Sequence, residues 1–227
     1  MDLVMATSRG KGLAPLLRND SLKIPIIVEP HGGAFIEDLT NMAVDIIDRS
    51  HFKPKDIHVY YIAGLPDITV KEKGPHYQEV IFNESPEEAT SRVSGIIANA
   101  EQAIKDMGAV PCFSTIAPMS LRSWNNFCLD NHRTSHLLHF RHYPDMQDLL
   151  IEATIAINQY IFSVNISNNM MTPRLGETIL HKQNSHKKHR IRYGRLDKDG
   201  VHLIDQTKYM WADIFLESSI KNRIAHH

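Results

Sequence analysis

The run Ile57-His58-Val59-Tyr60-Tyr61-Ile62-Ala63 is β-branched and aromatic almost throughout. A strand of that composition is covered on both faces, so it needs parallel neighbours and helices above and below. The chain supplies both. Leu3-Val4-Met5-Ala6, Ile24-Pro25-Ile26-Ile27-Val28 and Ala109-Val110-Pro111-Cys112-Phe113-Ser114-Thr115 are further short apolar runs. Pro25 sits near the start of its run, where a missing donor costs least. Between the runs the apolar period changes from continuous to helical. Phe35, Leu39, Met42, Ala43, Ile46 and Ile47 recur at helical spacing up to Ser50.

The clearest helix start is Ser85-Pro86-Glu87-Glu88, with an N-cap serine, a first-turn proline and a glutamate completing a capping box. That helix is expected to run to about Met107 and stop at Gly108. A second is expected from Asp145 to about Val164, and a last from Gln206 to Ile220. Residues 119–143 read as a large loop or short helices, and Arg190-Ile191-Arg192-Tyr193 as a last short strand. Strands alternating with helices predict an α/β fold with a parallel sheet of about five strands. No repeat or linker interrupts residues 1–227, so one domain is expected.

Composition narrows the function classes. Hydrophobic residues make up 42% and charged residues 22% of 227 residues, and the net charge is −1. That balance predicts no polyanion or membrane partner for the molecule as a whole. No apolar run in the sequence approaches the roughly 18–20 residues of a bilayer span, and no signal-peptide layout opens the chain. Two cysteines, Cys112 and Cys128, are too few for a disulfide framework, and an intracellular, reducing, cytoplasmic setting is expected.

Chemistry concentrates at the two ends of the chain. Asp199-Gly200-Val201-His202-Leu203 places an aspartate three residues before a histidine on a Gly-bearing turn, the spacing of an orienting carboxylate and a general base. Ser8 ends the first apolar run and opens Ser8-Arg9-Gly10-Lys11-Gly12. A serine hydroxyl becomes a nucleophile when a base takes its proton, and His202 is the candidate base. His31-Gly32-Gly33 follows the second strand, and Gly64-Leu65-Pro66-Asp67 follows the third. All of these fall at strand C-termini, where open α/β sheets bind ligands. Ser8 also reads as an ordinary helix N-cap, and an Asp-x-x-His pair as plain surface loop. Their conjunction at strand ends is what favours chemistry.

On these residues the chain resembles the SGNH (Gly-Asp-Ser-Leu-type) hydrolases, whose blocks are a Ser near the N-terminus, a Gly, an Asn and a C-terminal Asp-x-x-His. The resemblance covers Leu3 to about Phe215. It rests on Ser8 with Gly12, on Gly33 (or Gly32), and on Asp199 with His202. The texture of 33–39 and 199–203 looks most like SGNH domains encoded by animal retroelements. The resemblance implies a three-layer α/β/α flavodoxin-like sandwich and hydrolysis of small acyl or lipid esters, with no metal or other cofactor. It implies a triad of Ser8, His202 and Asp199, an oxyanion hole from the Ser8 and Gly33 amides, and substrate contacts from Gly32, Gly64, Pro66 and Asp67. Two positions depart from the pattern. Ala6-Thr7-Ser8 lacks the aspartate before the serine, and Gly64-Leu65-Pro66-Asp67 has proline where the family has its oxyanion asparagine. A catalytically impaired module that binds a partner, anionic lipid or nucleic acid therefore stands as the alternative.

Three further features have two readings each. Lys182, Lys187, Lys188, Arg190, Arg192 and Arg195 form a run without an acid, either a solvated loop or a positive rim for anions or nucleic acid. His132, His136, His139 and His142 would share one side of a helix, as zinc ligands or as loop packing. Ser8 to Gly12 is only loosely like a phosphate loop and lacks Gly-x-x-x-x-Gly-Lys-Ser/Thr spacing, which weakens a nucleotide-binding reading.

Overall fold

The computed structural model describes residues 1–17, 24–74, 77–182 and 189–226. In chain order the elements are β1 (Asp2–Ala6), α1 (Ala14–Leu17), β2 (Ile26–Pro30), α2 (Ile36–Asp48), β3 (His58–Ile62), α3 (Leu65–Ile68), β4 (Val70–Lys73) and β5 (Gln78–Ile81). They continue with α4 (Pro86–Asp106), β6 (Val110–Phe113), α5 (Leu121–Asp130), α6 (Tyr143–Ser167), β7 (Leu180–Lys182), β8 (His189–Ile191) and α7 (Asp205–His226).

One four-stranded parallel sheet in the order β2-β1-β3-β6 forms the centre. Strands β1 and β3 are inner strands, and every residue of both is buried. Alternate residues face opposite layers, as the period of a strand requires. Leu3, Met5, Val59, Tyr61 and Phe113 pack against Leu39 and Ala43 of α2, Val93 and Ile97 of α4, and Ala153 and Ile157 of α6. Val4, Ala6, Tyr60, Ile62 and Cys112 pack against Leu13, Leu17 of α1, and Trp211 and Phe215 of α7. At the N-terminal end of β1 the buried Asp2 carboxylate accepts from Ser219 Oγ and the Arg223 guanidinium, which docks α7 on that layer.

Most expected elements form where the sequence places them, including the Ser85/Glu88 capping box on α4. The stretch after Asp67 forms an antiparallel hairpin, with Val70 opposite Ile81 and Lys73 opposite Gln78. Within 119–143, expected as loop or short helices, residues 121–130 form a helix. Two features differ. The 190–193 region does not join the main sheet, because β8 pairs antiparallel with β7 in a separate ribbon. Finally, α6 with the turn before it is long and apolar enough by composition to cross a membrane, and half of that stretch is buried. Its Leu150, Ala153, Ile157 and Ile161 spend that apolarity on the core.

The sheet stops at β6 for a physical reason. Val110 N donates to Ile57 O (3.0 Å) and Ser114 N to Tyr61 O (2.9 Å), so these residues spend their amides inward on β3. In a parallel ladder the alternate residues face outward. Asn165 of α6 meets one of them: its Oδ1 accepts from Phe113 N (3.0 Å) and its Nδ2 donates to Phe113 O (2.7 Å). Asn158 does the same for Ile116 N (2.7 Å) and Ile116 O (2.9 Å). Side-chain amides thus replace a fifth strand and blunt the edge. Asn165→Ala would leave a buried amide and carbonyl unpaired, at a cost of roughly 2–4 kcal/mol. Denaturant unfolding would measure it, and a loss below about 1 kcal/mol would contradict this account of the edge.

Candidate active site

Ser8 stands at the C-terminal end of inner strand β1, where Thr7 N donates to Ile62 O (3.1 Å) and His31 N to Ala6 O (2.7 Å). The sheet ladder therefore holds the backbone up to the residue before the serine. From Ser8 to Gly12 the chain makes a 3-10 turn folded tightly back on the strand. A Cβ on Gly10 would lie 2.2 Å from Ala6 Cβ, so that turn requires glycine.

The Asp199–His202 loop is built from its own hydrogen bonds. Leu196 and Leu203 bridge antiparallel, and Asp197 N donates to His202 O (2.7 Å). Gly200 takes φ +72°, and a Cβ there would sit 2.6 Å from Ser123 Cβ. Its carbonyl accepts from Ser120 N (2.9 Å) at the start of α5, which seats the loop on that helix. Asp199 Oδ1 accepts from the amides of Val201 and His202, both at 2.9 Å, and Oδ2 bonds His202 Nδ1. With Nδ1 occupied by the carboxylate, Nε2 is left as the nitrogen for proton transfer. Burial pushes the Asp199 carboxyl up, but the bonds from His202 and the two amides outweigh it and hold the group below the ordinary aspartate value.

The two ends of the chain meet. Ser8, Gly33, Pro66 and His202 line one cleft of about 360 Å³, whose walls are Phe35, Leu65, Val80, Met119 and Trp124. An adjoining cleft of about 540 Å³ shares Ser8 and His202 and has a more polar lining than the first, with Gly32, Lys11, Asp197 and Lys208. Gly33 takes φ +76° with open space where a Cβ would go, so its peptide can turn toward the cleft at no steric cost. The arrangement brings Ser8, the Gly33 turn and the oriented His202 ring around one space.

Other expected residues lie elsewhere. Gly64 (φ +107°) lines neither cleft, and a Cβ there would meet Ile116 Cδ1 at 2.4 Å. Asp67 is buried away from the cleft, accepting from Ile36 N at 3.2 and 3.3 Å and so capping α2. Lys187 and Lys188 lie outside the described residues. Arg190 and Arg192 are exposed on and beside the β7–β8 ribbon and line neither cleft. Residues 131–139 are not helical, so the histidines do not align; His139 Nε2 instead pairs with Glu72 Oε2 at 2.9 Å. Among the described residues no cluster of His, Cys, Asp and Glu is placed to hold a metal. Cys112 and Cys128 are free and buried, and burial raises both thiols. Sequence reasoning missed Arg9 and the apolar wall from Trp124 and Val80, which depend on α5 and the hairpin.

Comparison with known proteins adds the fold's relatives. No protein-family profile matches the sequence, and no curated protein does. Solved structures do match. One from Bacteroides fragilis, assigned as an acylhydrolase, is 15% identical with a TM-score of 0.62, over 97% of this chain and 86% of that one. A GDSL-like lipase from Bacteroides thetaiotaomicron is 13% identical with a TM-score of 0.60, over 98% and 88%. The chain has the SGNH-hydrolase fold. The psychrotrophic esterase EstA of Pseudoalteromonas sp., 11% identical with a TM-score of 0.51 over 97% of this chain and 96% of that one, shares it.

The buried cap on α2 gives a pH test. Burial raises the Asp67 carboxyl to about 6, against the lowering effect of the Ile36 amide. A raised carboxyl binds its proton more tightly in the folded chain, so its stabilisation is complete below the ordinary aspartate value and lost as pH rises through about 6. Asp67→Asn keeps an acceptor for Ile36 N without the charge. It should flatten Tm against pH between roughly pH 4 and 6 and leave Tm at pH 7.5 equal or higher. Parallel profiles for the two proteins would refute this.

Proposed function

We propose that the protein is a serine hydrolase of the SGNH type that cleaves small acyl or lipid esters. The carrying observation is that Ser8 and His202, from opposite ends of the chain, line one cleft with the imidazole tied through Nδ1 to Asp199. His202 Nε2 takes the Ser8 proton as Oγ attacks the acyl carbon. The negative charge on the carbonyl oxygen then faces the Ser8 and Gly33 amides. As the tetrahedral intermediate collapses, His202 returns the proton to the leaving alcohol. Water deprotonated by the same imidazole releases the acid from Ser8. Asp199 stays ionised and orients the ring; its depressed carboxyl suits that role.

The walls suggest how an ester lies. Phe35, Leu65, Val80, Met119 and Trp124 offer apolar surface to an acyl chain, and the more polar cleft across Ser8, with Lys11, Asp197 and Lys208, suits the alcohol. Pro66 lines the apolar cleft where the resemblance expects an asparagine amide. That favours the second reading, a module that keeps the fold and binds without turnover. Against it stands the intact Asp199–His202 pair beside Ser8. The likeness of 33–39 and 199–203 to retroelement-encoded SGNH domains is a matter of sequence texture alone.

Hydrolysis of p-nitrophenyl acetate, butyrate and octanoate tests the reading. Turnover should fall by roughly 10³-fold or more in both Ser8→Ala and His202→Ala. Equal rates in all three proteins, or none in the parent, would leave the binding module as the account. Pro66→Asn restores an amide donor, and kcat should rise by about 10-fold or more, given what one oxyanion donor contributes. An unchanged kcat would show that this position does not reach the oxyanion.

A further inference from the structure

The residue beside the serine is a buried cation. Arg9 is 6% exposed. Its Nε donates to Val201 O at 2.9 Å, one terminal nitrogen to Ala117 O, and the other to Pro118 O at 2.9 Å. Each acceptor is a backbone carbonyl, and each belongs to a segment that shapes the site. Val201 lies inside the Asp199–His202 loop. Ala117 and Pro118 lead from β6 into α5, the helix on which Gly200 rests through Ser120 N. One rigid planar fork therefore joins the turn that carries Ser8 to the loop that carries His202.

Burying a guanidinium against neutral carbonyls is an expensive way to fill space. An aliphatic side chain would fill the same volume without desolvating a charge. What the aliphatic chain could not supply is three donors in fixed directions, and a lysine could not supply the fork either. Serine and histidine in this fold come from segments that share no sheet hydrogen bond, so something must fix their separation. An error of about 1 Å in such a pair costs on the order of 10²-fold in rate.

We propose that Arg9 is a positioning residue of this site: by clamping Val201 O, Ala117 O and Pro118 O from the residue next to Ser8, it fixes Ser8 against His202. The proposal rests on the reading of Ser8 and His202 as the reacting pair. Burial draws the Arg9 guanidinium down to about 10, so it stays cationic at neutral pH and keeps all its donors.

The test compares the parent with Arg9→Met, Arg9→Lys and Ser8→Ala in p-nitrophenyl butyrate hydrolysis, thermal unfolding and amide hydrogen exchange. In Arg9→Met, kcat should fall about 10²-fold with KM within about threefold. Exchange at Val201 and His202 should quicken by about tenfold or more while α4 keeps its protection. Arg9→Lys should recover only part of kcat, because it returns the charge without the fork. Loop exchange unchanged in Arg9→Met, or kcat unchanged despite a lower Tm, would overturn the proposal and leave Arg9 as a stability residue. A parent whose turnover is absent or equal to Ser8→Ala would sink the hydrolase reading separately. Exchange in the 197–203 loop would still decide whether the clamp exists.

Discussion

Strand β1 is the constraint on which the rest depends. Its residues are buried on both faces of a parallel sheet, with β2 on one side and β3 on the other. A strand so placed has no freedom to shift register, because a one-residue slip would exchange its two buried faces. Ladder bonds to both neighbours continue to Thr7 and His31, and so Ser8 emerges at one defined point on the sheet's C-terminal edge. The glycine turns after β2 and β3 emerge beside it because those strands run parallel. Whatever Ser8 does, it does from the end of a strand paired on both sides.

The other half of the site has no strand to hold it. The Asp199–His202 loop follows the β7–β8 ribbon, outside the main sheet. Its stability comes from polar groups instead: Asp199 on two amides and a ring nitrogen, Ser120 N on Gly200 O, and Arg9 on Val201 O. The same use of side-chain polar groups appears at the sheet edge, where Asn158 and Asn165 stand in for a strand, and at the hairpin. There Asn125 Oδ1 accepts from Val80 N and Nδ2 donates to Val80 O, both at 2.8 Å. These amides give the irregular segments around the cleft fixed positions at modest net energy, but removing one is costly.

How much of this was legible in the sequence follows from where the information lies. Apolar runs and caps are local, so β1, β3, α4 and their order could be read directly, as could the strand-end positions of Ser8, Gly33 and the Asp199–His202 spacing. The hairpin could not, because Val70-Lys71-Glu72-Lys73 is largely solvent-facing and carries charge where a buried strand carries Val or Ile. Helix α5 hides its period behind Arg122, Asn125 and Asn126, one of which is buried on a hairpin backbone. Arg9 was invisible for a different reason. Its partners are carbonyls far along the chain, and a carbonyl leaves no mark in the residue type. Asp67 looked like a site residue because it follows a strand, yet burial and the start of α2 claim it.

The central claim is that Ser8 is a nucleophile made reactive by His202. The most direct measurement is intact-mass analysis after treatment with a fluorophosphonate, which modifies a serine only when a base activates it. The account predicts one adduct per chain, mapped to Ser8, and none in His202→Ala. Labelling that persists in Ser8→Ala, or a parent that stays unmodified while a known serine hydrolase in the same tube reacts, would contradict it.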